Sequence, residues 1–160
     1  MKIARIVMLA ALAAALPAAA QKECTKADAA AAEKVIDRVV NSANLQRAWK
    51  DYRHCDTGAI DEIFTDAILR ILVPWKDKDA EQVAIDVQAD PEYKKFLHKH
   101  LRSDAAKADR SAVYSRAKSN CPPIQDEFCK ELIEVVKDPA KAAPTPPAAA
   151  PAAAPKASGK

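Results

Sequence analysis

Apolar positions recur through the middle of this chain at the spacing of one helix face. The clearest stripe is Ile60, Ile63, Phe64, Ala67, Ile68, Ile71 and Leu72, the i, i+3, i+4, i+7 pattern of a buried helix. Asp56 or Thr57 is placed to cap its start, and Asp61 and Glu62 suit its first turns. Pro74 stops it, having no N–H to donate and restraining Val73. No other stretch beyond the first 20 residues is as apolar. The helix is therefore expected at the centre of the fold, packed on more than one side.

The same periodicity predicts helices before and after it. Thr25 and Asp28 form a capping box ahead of Ala29, Ala32, Val35, Ile36, Val39 and Val40. Asn41-Ser42 interrupts, with Ser42 as a cap for a segment carrying Leu45, Ala48, Trp49 and Tyr52. A shorter helix starts at Asp77-Lys78-Asp79 and uses Ala80, Val83, Ala84 and Val87. Asp90-Pro91-Glu92 restarts the chain with a capping acid and a proline at the first helical position; Tyr93, Phe96, Leu97, His100 and Leu101 make its inner face. A helix from Ser103 or Asp104 to Ser119 and a last one from Pro123 to Lys137 complete the series, separated by Asn120-Cys121-Pro122-Pro123. The expected fold is all-α: one small domain of five to seven helices.

The ends read differently. Lys2 and Arg5, an apolar run from Ile6 to Leu16 and Pro17-Ala18-Ala19-Ala20 have the three-part layout of a secretory signal peptide. Residues 1–20 are read as that signal, cleaved after Ala20, and the mature chain is expected to be periplasmic or secreted. The charges in Gln21-Lys22-Glu23 do not suit lipidation at Cys24. From Pro139 the composition is almost wholly Ala, Pro and Lys. Residues 139–160 are expected to be a disordered tail, because they offer no large side chain to bury. Residues 21–138 remain as the domain, a size that one core can hold.

Cysteine and glycine counts narrow the class. Cys24, Cys55, Cys121 and Cys129 are an even set behind a signal peptide, which implies two disulfides in an oxidising compartment. Three connectivities are open; the favoured one joins Cys55 to Cys121 and Cys24 to Cys129, tying the N-terminal arm to the last helix. Only Gly58 and Gly159 are glycines, which excludes phosphate-cradling loops, dinucleotide fingerprints and nucleophile elbows.

Charge changes the picture of partners. The two end segments hold Lys2, Arg5, Lys141, Lys156 and Lys160, so residues 21–138 keep 20 of the 25 cations against all 22 acids, net −2. That argues against a nucleic-acid binder. Within the domain the charge is segregated. Residues 56–92 hold ten acids against Arg70, Lys76 and Lys78; residues 93–118 hold eight cations against Asp104 and Asp109. The two segments either pair across the fold or present opposite faces that steer a charged partner.

Candidate chemistry is sparse. His98 and His100 point about 200° apart on a helix, so they do not chelate one ion, and neither metal nor cofactor is expected. Glu62 and Asp66, one helical turn apart, are the carboxylates a hydrolase would use, but Asp66 also faces Arg70. Trp75, Lys94, Lys95, Lys99 and Arg102 are the candidate partner-binding residues, being an anchor-type aromatic in a loop and the basic helix; Trp75 is placed equally well to cap the core. The expected role is a non-enzymatic protein-binding domain of the inhibitor or immunity type, with a partner protein in the cell envelope. The alternatives are an envelope-associated structural factor holding anionic wall or lipid through residues 93–118 and the tail, and the Glu62/Asp66 hydrolase.

Overall fold

The computed structural model describes residues 22–121 and 125–137. The expected signal peptide, its cleavage site and the expected disordered tail lie outside them. Among the described residues there are seven α-helices and no strand: α1 (Lys26–Ile36), α2 (Ser42–Tyr52), α3 (Ala59–Leu72), α4 (Asp77–Ala89), α5 (Pro91–Arg102), α6 (Arg110–Ser119) and α7 (Asp126–Val136). Single 3₁₀ turns, Arg53–Cys55 and Asp104–Ala106, follow α2 and α5.

Helix α3 is the element around which the others gather. It packs against α1, α2, α4, α5 and α6, and Phe64, Ala67 and Ile68 are fully buried. An aromatic cluster bridges α3 and α5: Phe64 meets the Phe96 ring edge-on at 5.0 Å, and Trp49 of α2 lies 5.0 Å from Tyr93. Ring pairs in this range add to what area burial contributes.

Side-chain caps start three of the seven described helices, α1, α2 and α5. Thr25 and Asp28 form the expected capping box, and Asp90 accepts from the N–H groups of Glu92 and Tyr93. Elsewhere long-range contacts overrule the local pattern. Helix α1 ends at Ile36 because Arg70 of α3 donates to the Ile36 and Asp37 carbonyls, and Val40 is left exposed. Asn41, not Ser42, caps α2 through the Asn44 N–H; Ser42 is held by Asp79 of α4. Helix α3 has no side-chain cap. Gly58 precedes it at φ 57°, ψ −132°, a conformation that favours glycine, and Asp56 is turned elsewhere. The expected helix from Ser103 to Ser119 is divided, and Arg110 at the start of α6 reaches back to the Leu101, Arg102 and Ser103 carbonyls at the end of α5.

The disulfides correct the favoured connectivity. Cys24 pairs with Cys55 and Cys121 with Cys129, and no cysteine is free. The reason is the neighbourhood of the helices. Helices α1 and α2 form an antiparallel pair, which lays the arm before α1 beside the end of α2. Helices α6 and α7 form another, and its bridge closes their connection. Cys24 and Cys55 lie 4.8 Å apart at Cα and Cys121 and Cys129 6.1 Å, so the predicted Cys24–Cys129 and Cys55–Cys121 links do not form.

Candidate functional site

The stretch between α2 and α3 is fastened to α5 by a polar cluster. Lys99 Nζ donates to Asp56 Oδ2 at 2.8 Å, to the Asp56 carbonyl at 3.0 Å and to Asp61 Oδ1 at 2.6 Å. An ammonium has three donors, so Lys99 is fully engaged. Next to it His100, fully buried, sets Nε2 3.1 Å from Asp56 Oδ1 and Nδ1 2.8 Å from Thr65 Oγ1. The Thr65 hydroxyl also lies 3.0 Å from the Asp61 carbonyl. It can therefore donate to a neutral ring, or accept from a charged one while donating to that carbonyl. Burial opposes ionisation of Asp56, but His100 and Lys99 outweigh it and hold its carboxyl below the ordinary aspartate range. Asp56, Asp61 and His100 bring three possible metal ligands within 4.8 Å of one another. The cation that balances the two carboxylates there is the side chain of Lys99.

Over this cluster lies an open groove of about 950 Å³ between the end of α2 and the outer face of α5. Trp49 and Phe96 form its floor. Five cations line it (Lys22, Lys50, Arg53, Lys95 and Lys99) against Asp51, Asp56 and Glu92. Several are already committed: Lys22 to Asp28 at 3.0 Å, Lys95 to Glu92 at 2.7 Å and Lys99 to the cluster below. Lys50 and Arg53 have no ion-pair partner among the described residues. Arg53 lies over the Trp49 ring, 5.1 Å from its centroid. Asp28, bonded first of all to the Thr25 hydroxyl and then to Lys22, has its pKa held down to about 2.

The residues singled out in the sequence are dispersed. Lys95 and Lys99 line the groove. Lys94 points to α7, where it pairs with Glu131, and Arg102 is exposed at the end of α5 outside the groove lining. Trp75 is 5% exposed: of its two expected places it takes the one over the core, which removes it from the candidate contact surface. Its indole N–H donates to the Asn120 carbonyl at 3.0 Å, and this anchor holds the residue at φ 50°, unusual for a bulky side chain. Glu62 and Asp66 are exposed and outside the groove; Asp66 is paired with Arg70 at 3.0 Å. His98 is half-buried away from His100, and burial before all else lowers its pKa, with Glu131 opposing. The acidic and basic segments do pair in part, through Lys99 with Asp56 and Asp61 and through Lys95 with Glu92. The sequence reading missed Lys50 and Arg53, which lie in a stretch of mixed charge with nothing local to mark them. Comparison with known protein families, with curated protein sequences and with solved structures returns no match.

Proposed function

We propose that the protein is an exported, non-enzymatic protein-binding domain of the inhibitor or immunity type, whose partner docks in the groove between α2 and α5. The observation that carries this reading is the convergence of cations from three separate segments on one concave surface: Lys22 from the N-terminal arm, Lys50 and Arg53 from α2 and its 3₁₀ turn, and Lys95 from α5. Two disulfides with no free cysteine favour an oxidising compartment. No described helix is long and apolar enough to cross a membrane. A concave surface with charge on facing walls suits a protruding protein segment better than a flat wall or lipid surface, which meets only the outermost side chains.

Neighbouring positions on α5 supply the test. Lys95 lines the groove, while Lys94 is bound to Glu131. A photo-crosslinking amino acid at position 95 of the exported chain, expressed in its own cells, is expected to give a discrete protein adduct. The same group at the exposed position 118 on α6 is expected to give none. Equal adducts from both positions, or none from position 95, would remove the groove as the docking site.

A further inference from the structure

Resting on that reading, we infer that the groove takes a short, extended, acidic segment of the partner, held by Arg53 and Lys50 on one wall and Lys95 on the other. Three observations point to it. First, the cations of the groove are not equivalent. All three donors of Lys99 are occupied by Asp56 and Asp61, so Lys99 fixes the wall and does not meet the partner. Lys50 and Arg53 have no acidic partner among the described residues. Lys95 is held only by Glu92, three residues away on an exposed helix face, a pair that gives way readily. Second, the Trp49 ring beneath Arg53 orients the planar guanidinium and leaves its edge for a carboxylate, which that fork grips with two parallel hydrogen bonds. An Arg on a Trp is the type of anchor that dominates interfaces.

Third, the dimensions suit an extended chain. The α5 wall from Glu92 to Lys99 rises about 10 Å at 1.5 Å per residue. An extended segment covers that length in about three residues at 3.3 Å each and sends alternate side chains to opposite sides. A run of about four acids therefore presents carboxylates to both walls at once.

The test uses the purified full chain and a dye-labelled peptide carrying a run of glutamates, read by anisotropy and by the emission of Trp49 in a Trp75→Phe background. Binding is expected to weaken about tenfold in the Lys50→Gln/Arg53→Gln variant, and again as salt rises past the range where exposed charges are screened. Lys118→Gln, on α6, is expected to leave it unchanged. Positions 50, 53 and 118 are exposed, and circular dichroism of each variant verifies the fold. Equal binding of a glutamine peptide, or undiminished binding by the double variant, overturns the inference. So does binding confined to phosphatidylglycerol vesicles or to single-stranded DNA. If the crosslinker at position 95 captures a protein while the glutamate peptide fails, the groove keeps its partner and only the acidic occupant is withdrawn.

Discussion

Phe64→Ala tests whether α3 holds the fold together. Phe64 is fully buried, packs edge-on against Phe96 and lies 5.9 Å from the His100 ring. Removing it takes away a buried ring and leaves a cavity between α3 and α5, for a loss of ~3–5 kcal/mol. Val83→Ala on α4, equally buried, deletes two methyl groups and is expected to cost ~2 kcal/mol. A domain of this size has ~5–15 kcal/mol in total, so oxidised Phe64→Ala should remain folded with a much lower urea midpoint. The bridges close loops with sequence separations of 31 and 8, contributing about 4 and about 2.5 kcal/mol in the chain-entropy treatment. Reduction of the variant should therefore unfold it at room temperature, while wild type keeps its helical signal. Urea titrations followed at 222 nm, with and without reductant, measure both. A loss below ~1 kcal/mol at Phe64, or one equal to that at Val83, would refute the central placement of α3.

Four further outcomes are expected. Because the Asp56 carboxyl is held below its ordinary value, its ion pairs contribute fully above the unfolded aspartate value of ~4 and fade as pH falls through the lower folded one; urea midpoints from neutral to acid pH should fall less steeply in Asp56→Asn than in wild type. Gly58→Ala meets nothing within 4 Å, so its whole cost is the backbone at φ 57°, about 1–3 kcal/mol, measured by thermal melting. Replacing Cys24 and Cys55 together by Ser should destabilise more than replacing Cys121 and Cys129, in the ratio of the loop entropies above. Intact-mass analysis of the exported protein should find Gln21 at the N-terminus and no alkylatable thiol.

What could be read from the chain was what is decided within a few residues. The stripe on α3, the Thr25–Asp28 box and the Asp90-Pro91 start are local, and each stands where the pattern placed it. The separation of His98 from His100 followed from helical geometry alone. The illegible features depend on residues far apart. Asp56 is drawn from capping α3 by Lys99, 43 residues away, and Arg70 ends α1 across 34 residues. Disulfide pairing needed to know which helices are neighbours. The basic segment of α5 and α6 looked like one binding face, yet it is divided by use: Lys99 fastens the α2–α3 connection, Arg110 closes the end of α5, Lys94 pairs with α7, Arg102 lies outside the groove, and Lys95 alone of the singled-out cations lines it without being built into the wall. The α2 wall carries Lys50 beside Asp51, and no charge run marked it.

Each cysteine bonds to its immediate neighbour in the sequence, first with second and third with fourth. A chain emerging N-terminus first into an oxidising space would present Cys24 and Cys55 while Cys121 is still far behind. The first bridge can close around the α1–α2 pair before a competing thiol arrives, and the second joins the only two that remain. Order along the chain and pairing coincide, so vectorial export would favour the native set over the crossed ones. The same arrangement would complete the groove wall formed by Lys22, Arg53 and His54 early, before α5 arrives to close it.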